Sequence, residues 1–344
     1  MQKITDILDR WGAGDSSGFS GVVSLRVGGN PVFERAYGFS NRTANIPNTI
    51  ETRFGVASVG KVLTATAICM LFQEQRLSPQ ATLSECLDVT PPHFDERITL
   101  HHLLTHTSGV PDYLDEGESQ DEVSLWHELP VDTLKRPSDY LPLFCHKPMK
   151  FIPGTRTDYS NAGYILLGAI IERVTGLDFA TCIEQKVFEI CDMRDASYSP
   201  FDRLADTTAI GYIQNPDGSY RSNRSIIPII GAPDGGAYMT LRDLLCFWET
   251  LLEARLLDEA TTRMMLHPHV AHQDAGEGFF FGYGFQVIER PNQARRYFVG
   301  GGDVGVNVVS AVYPQQQVLL TILGNSNASI WPFFLELDRL AVSS

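Results

Sequence analysis

The chain has 344 residues, 43% hydrophobic and 20% charged, which suits one large globular domain or two intimate ones. Its formal net charge of −14, with no basic run, argues against nucleic acid or an anionic membrane surface as a partner. No stretch is apolar for long enough to span a bilayer, so membrane insertion is not expected.

From the start, Ile4, Ile7, Leu8 and Trp11 recur at helical spacing between acids. They predict an amphipathic helix over residues 3–12 rather than a signal peptide. A cytoplasmic location is therefore expected, with a trimmed exported protein as the alternative. Gly21–Val27 and Pro31–Tyr37 read as strands around a Gly28-Gly29-Asn30 turn. Phe54 through Leu71 then reads as a short approach into a helix that is apolar nearly all round, and such a helix belongs inside a domain.

From about Leu71 to about Ile230 helical patterns alternate with Pro-, Asp- and Gly-containing loops. Thr99–His106 is a short helix, Asp115–Asp121 an acidic loop, and residues 161–175 an apolar helix stopped by Gly176. A further helix is expected from about Leu241 to Leu252. Strand signals return at Phe279–Glu289, Arg295–Val299, Val306–Tyr313 and Val318–Leu323, and Trp331–Ala341 closes as a helix. Strands at both ends with helices between predict an α+β fold. Its antiparallel sheet is built from N- and C-terminal strands and flanked by helices. The expected division is residues 1–70 and 231–344 as the sheet domain, with 71–230 as a mainly helical insert. The six cysteines are scattered and form no C-x-x-C, so they read as free thiols in a reducing compartment, a disulfide pair being the alternative.

The buried helix carries an anomaly. Ser58 and Lys61 stand three residues apart at its start, a spacing that points both side chains the same way. A serine hydroxyl is a poor nucleophile until a base takes its proton. A lysine with its ordinary pKa of about 10.4 is neutral roughly once in 2,500 molecules at pH 7, and lowering that pKa to about 8 raises the neutral share to about a tenth. Burial and the positive end of a helix both act in that direction. The Ser58 N–H at the helix start is also placed to face a developing oxyanion.

Two further stretches bear on chemistry. Tyr159-Ser160-Asn161 precedes the helix at 161–175: the phenol can relay a proton and the amide can donate and accept, while Ser160 or Asn161 can equally cap the helix. In Tyr297–Val306, Gly300-Gly301-Gly302 at a strand end lets a substrate approach the backbone, and the Gly302 N–H is the candidate second oxyanion donor. A plain turn between strands is the alternative. Gly300, Gly302 and Gly305 fit G-x-G-x-x-G, but the Val306-Asn307-Val308-Val309 that follows is strand-like, where a dinucleotide site needs a helix.

Together these residues resemble the serine β-lactamase and penicillin-binding-protein superfamily. The branch most similar holds class C β-lactamases, D-Ala-D-Ala carboxypeptidases, D-aminopeptidases and β-lactamase-like esterases. Ser58-Val59-Gly60-Lys61 matches S-x-x-K, and Tyr159-Ser160-Asn161 matches Y-x-N. Leu103–Gly109, Pro153-Gly154, Tyr159–Gly168 and Gly235-Gly236 match as supporting stretches, so the similarity runs over nearly the whole chain. The resemblance implies a Ser58 nucleophile, acid–base work shared by Lys61 and Tyr159, Asn161 and the Gly301-Gly302 backbone at the substrate, and an acyl-enzyme.

One departure stands out. Where the family carries K-T-G or H-x-G, this chain has Val299-Gly300-Gly301, without a cation or a hydroxyl. That disfavours substrates with a free carboxylate and leans toward an esterase. Arg295 or Arg296 supplying the missing charge is an alternative to their being solvated strand residues. His102 and His106 have H-x-x-x-H spacing without a third ligand, so no metal is expected and His106 reads as a structural hydrogen-bonding residue. An α/β-hydrolase elbow would need glycine at Val56. The expectation is a cofactor-free serine hydrolase acting on a small ester, amide or lactam. Carboxylesterase activity comes first. A β-lactamase, a D-Ala-D-Ala carboxypeptidase or D-aminopeptidase, and an acyltransferase are enzymatic alternatives, and an inactive binding or regulatory homologue is the non-enzymatic one.

Overall fold

The computed structural model describes residues 19–88, 91–114, 126, 129–273, 275–291 and 293–342. The helix expected over 3–12 and the acidic run Asp115–Asp121 lie outside the described residues. Eight strands form one antiparallel sheet: β1 (Gly21–Val27), β2 (Asn30–Tyr37), β3 (Val270–Ala271), β4 (Phe279–Phe281), β5 (Gln286–Ile288), β6 (Arg296–Asp303), β7 (Val306–Tyr313) and β8 (Val318–Gly324). Their order across the sheet is β2-β1-β8-β7-β6-β5-β4-β3, so the N-terminal hairpin joins the C-terminal strands through β1 and β8, one strand in from the β2 edge. The β1–β8 pairing runs from Gly21 opposite Gly324 to Val27 opposite Val318.

Both faces of this sheet are buried. Side chains alternate along a strand, so neighbours in sequence go to opposite faces. Val22, Val308 and Leu323 join the larger core, whereas Val23, Val309 and Ile322 join a second one. The second core is closed by a helix over Trp331–Val342, through Phe333, Phe334 and Leu337. On the other face lies α1 (Lys61–Gln73), buried from Lys61 to Phe72. It packs on α2 (Asn161–Thr175) and on the helix Glu259–Met265. A helix over Leu241–Leu252 adds Leu244, Phe247 and Trp248 to this core. Sheet, helices and the terminal helix make the α+β arrangement expected. Between the sheet's two halves the chain is largely helices and loops; among the described residues it also forms three short ribbons, pairing Phe39–Asn41 with Ile46–Pro47, Phe54–Gly55 with Tyr238–Met239, and Tyr212–Gln214 with Tyr220–Ser222. Among the described residues no helix is long and apolar enough to cross a membrane. All six cysteines are free.

Three local expectations are corrected. Phe279–Glu289 is two strands, because the chain turns back at 282–285, where Gly282 N–H donates to the Phe285 carbonyl. Gly284 in this turn has φ 79°, and a Cβ on it would come within 2.8 Å of the Ala65 Cβ, so the turn presses on α1. The three glycines at 300–302 are not a strand end. They lie inside β6, opposite Val309, Val308 and Asn307 of β7. Finally, the α-helix begins at Lys61, and Ser58 lies before it in a 3-10 turn over Ala57–Gly60.

Candidate active site

The 3-10 turn sets Ser58 apart from the helix that follows. Ala57 just before it has φ 43°, a left-handed conformation that costs a non-glycine residue of order 1–3 kcal/mol and persists only where the surroundings impose it. Those surroundings are two backbone segments pressed against the turn. Gly236 N–H donates to the Ala57 carbonyl at 3.3 Å. On the β6 side, a Cβ on Gly301 would stand 2.4 Å from the Val56 carbonyl oxygen and 3.1 Å from Ser58 N. Only glycine lets that strand lie so close to the Ser58 backbone.

Lys61 begins α1 with its side chain inside the protein, only 3% exposed. Its Nζ is 3.1 Å from Ser58 Oγ and 2.7 Å from both Asn161 Oδ1 and the Asp234 carbonyl oxygen. The same nitrogen lies 4.8 Å from the centre of the Tyr159 ring and 5.6 Å from that of Tyr164. Ser58, Lys61, Tyr159 and Asn161, spread over a hundred residues of sequence, therefore converge on one point. Gly302 joins Ser58 and Asn161 in lining a cleft of about 100 Å³. The walls of this cleft are largely aromatic and aliphatic, including Tyr113, Trp126, Tyr140, Phe201 and Tyr238, and Arg224 and Asp303 also line it. A second cavity of about 30 Å³ opens on the other side of Ser58, against Lys61, His106, Tyr159 and Val299.

Tyr159 is held by stacking on His106, with ring centres 4.5 Å apart, and Phe281 and Tyr164 close on the same imidazole. His106 is buried, and its Nδ1 accepts from the Ser160 N–H at 3.1 Å. Burial first, then the nearby Lys61, holds its imidazole well below the ordinary histidine range. A neutral ring that accepts at Nδ1 is the structural histidine expected, and it lies past the end of the helix Leu100–Leu104. The other member of the H-x-x-x-H spacing, His102, accepts from the Thr99 N–H at that helix's start. Among the described residues no three His, Cys, Asp or Glu side chains gather as metal ligands.

Two expectations about charge change. Arg296 is not solvated: it is 6% exposed and paired with Asp338 at 3.1 Å. Arg295 is paired with Glu289 at 2.5 Å. Both guanidinium groups are committed away from Ser58. Val299 and Gly301 face the Ser58 side of β6, while Gly300 faces the terminal helix, where its Cβ would meet the Trp331 ring at 3.0 Å.

Sequence reasoning missed Asp112 and the role of the Asp234 backbone. Asp112 is buried and accepts from the Asn161 N–H at 2.6 Å and the Ala162 N–H at 3.2 Å. Burial pushes its carboxyl up to about 6, against the opposing pull of those backbone donors. A lone carboxylate fifty residues before the helix it caps leaves no periodic signal in the sequence.

Comparison with known proteins agrees with this architecture. The beta-lactamase family model matches residues 9–342. Penicillin-binding protein 4* of Bacillus subtilis is 25% identical over 329 residues, covering 91% of this chain and 69% of that protein. Esterase EstB of Burkholderia gladioli is 28% identical over 305 residues, covering 77% and 74%. Among solved structures, a penicillin-binding protein from Bacillus halodurans superposes with a TM-score of 0.90 at 40% identity, covering 98% of this chain and 99% of that one. With the family model spanning nearly its full length, this chain belongs to the beta-lactamase family.

Proposed function

We propose that the protein is a serine hydrolase working through an acyl-enzyme on Ser58, with carboxylesterase-type activity on small esters. The observation that carries this is the seating of the Lys61 amine, 3.1 Å from Ser58 Oγ with acceptors at 2.7 Å on two other sides. In the neutral amine, two N–H groups donate to Asn161 Oδ1 and the Asp234 carbonyl, leaving the lone pair for the Ser58 hydroxyl proton. As that proton moves to Nζ, Ser58 Oγ bonds to the substrate carbonyl carbon, and the carbonyl oxygen takes up the negative charge between the N–H groups of Ser58 and Gly302. Collapse breaks the bond to the leaving oxygen, which receives a proton through Lys61 and Tyr159. Water then gives a proton back to that pair, attacks the acyl carbon and releases the acid with Ser58 restored.

The preference for esters rests on the strand wall and on the commitment of both nearby arginines. Val299-Gly300-Gly301 offers a carboxylate no cation or hydroxyl, and the esterase EstB is among the relatives. Residues 71–230 act as the insert that shapes the cleft, contributing Tyr113, Trp126, Tyr140, Phe201 and Arg224. Arg224 favours a second reading. It is a cation at the cleft able to meet a substrate carboxylate, as a β-lactamase or D-Ala-D-Ala carboxypeptidase requires, and the 40% identical solved structure is a penicillin-binding protein. A panel of p-nitrophenyl acetate, p-nitrophenyl butyrate, nitrocefin and a fluorescent penicillin on wild type and Ser58→Ala separates the readings. Ester turnover lost in Ser58→Ala supports the first, and nitrocefin turnover outpacing ester turnover supports the second. Full ester turnover by Ser58→Ala sinks both, and absence of a fluorophosphonate adduct on Ser58 points to a non-enzymatic role.

A further inference from the structure

We propose that the adjacent residues Asp112 and Tyr113 are positioning residues that together set two acceptors of the Lys61 amine, Asn161 Oδ1 and the Asp234 carbonyl; the proposal rests on the serine-hydrolase reading above. Besides Ser58, Lys61 makes short contacts to Asn161 Oδ1 and to the Asp234 carbonyl. These groups come from different parts of the chain, and the same dipeptide reaches both.

On one side the Asp112 carboxylate grips the start of α2. Its Oδ2 accepts from the Asn161 N–H at 2.6 Å, and its Oδ1 from the Ala162 N–H at 3.2 Å. Oδ1 also accepts from the N–H groups of Tyr113 at 2.7 Å and Leu114 at 3.2 Å, which ties its own loop to the same point. The Leu114 carbonyl, held there, accepts from Asn161 Nδ2 at 3.3 Å. An amide whose nitrogen is taken by a carbonyl turns its oxygen the other way, and that oxygen is the one on Lys61. On the other side the Tyr113 hydroxyl donates to Asp234 Oδ2 at 2.5 Å, fixing the residue whose backbone carbonyl meets Lys61.

A helix cap alone does not account for this. Ser160 already caps α2, its Oγ accepting from the Gly163 N–H at 3.0 Å. Nor does capping explain why the neighbouring residue reaches Asp234. Catalysis that turns on one amine loses rate when that amine is misplaced by a fraction of an ångström, with little change in how substrate binds.

The test compares kcat, KM and the pH–rate profile of the full chain with p-nitrophenyl butyrate, for wild type, Tyr113→Phe, Asp112→Asn and Ser58→Ala, with melting temperatures alongside. Tyr113→Phe keeps the ring that packs on Tyr140 and removes one hydroxyl. It is expected to lower kcat about tenfold with KM within about threefold, and to displace the acidic limb of the profile by about half a unit. Asp112→Asn sets an amide NH₂ against backbone N–H groups and is expected to lower kcat about a hundredfold. Should Asp112→Asn fail to fold, Tyr113→Phe decides. Wild-type kcat and an unmoved profile in Tyr113→Phe, beside an inactive Ser58→Ala, overturn the positioning role and leave the serine nucleophile standing. A loss confined to KM with an unmoved profile also overturns it, since it marks Tyr113 as a substrate contact. Activity in Ser58→Ala overturns the underlying reading instead.

Discussion

The two sides of Ser58 are built in opposite ways. On the helix side, the Asn161 amide and the Asp234 backbone carbonyl lie 2.7 Å from the Lys61 amine, Ser58 Oγ 3.1 Å from it, and the Tyr159 ring beside it. On the sheet side, β6 presents Val299 and then bare backbone through Gly302. Gly301 is there because nothing larger fits beside the Val56 carbonyl, while a side chain on Gly300 would point at the Trp331 ring on the opposite face. On the proposed mechanism, the difference teaches that activating the nucleophile and recognising the substrate are separable. A buried amine needs several partners in fixed places, so that side tolerates little change. An oxyanion needs only N–H groups, so a strand can lose every reactive side chain and still serve.

Substitutions on the two sides break this comparison by different amounts. Ser58→Ala removes the nucleophile and is expected to lower kcat by about 10⁶-fold, and Lys61→Ala by about 10³- to 10⁴-fold, as read by p-nitrophenyl ester hydrolysis. Retention of more than a tenth of wild-type activity in Lys61→Ala rejects the amine as base. Gly301→Ala comes next. Its methyl group would push β6 away from the Ser58 turn, and a loss of about a hundredfold in kcat is expected with α-helical content unchanged by circular dichroism. Near-normal turnover there means the close approach of β6 is not needed.

A gain is expected from Val299→Lys, which returns a cation to the wall that lacks one. A charge-assisted hydrogen bond worth about 1.5–3 kcal/mol is a ten- to hundredfold increase in kcat/KM for carboxylate-bearing lactams, with ester turnover changed far less. No gain with nitrocefin means that the missing cation is not what limits lactam turnover.

The smallest effect concerns acid stability away from the catalytic corner. The half-buried His101 and His269 cluster on the buried Tyr283 ring, with His101 Nδ1 2.9 Å from the Tyr283 hydroxyl and His269 stacked on Tyr283 at 4.1 Å. Burial pushes His269 down to about 4, and His101 is lowered for the same reason. The unfolded chain takes up protons near pH 6.5 that the folded cluster refuses, so this stability is complete above about pH 6.5 and drains away as pH falls toward 4. His269→Gln keeps a donor toward the Met264 carbonyl and removes the titration. Its melting temperature is expected to fall less steeply between pH 7 and 4.5 than that of wild type, and an equal slope removes His269 from the account.

Much of the fold was legible in the residues. The β-branched and aromatic run Val306–Tyr313 and the apolar run of residues 161–175 terminated by Gly176 marked a strand and a helix at the bounds observed. Local pattern misled where tertiary contact overrides it. Phe279–Glu289 reads as one aromatic strand, yet it folds back to press Gly284 onto α1, and the glycines at 300–302 read as a strand end although pairing with β7 carries the strand through them.

Sequence by itself determined which reactive groups this protein owns and that Ser58 and Lys61 are neighbours, because a spacing of three residues survives in any helical turn. It also determined that no cation stands at Val299. Only the tertiary structure decided that Arg295 and Arg296 are spent on Glu289 and Asp338, that the Asp234 backbone completes the setting of Lys61, and that Asp112 holds Asn161 in place. The reason is the range of the forces. Periodicity records what a residue does to its neighbours along the chain, whereas a hydrogen bond between residues 49 or 173 positions apart exists only once packing has closed the distance.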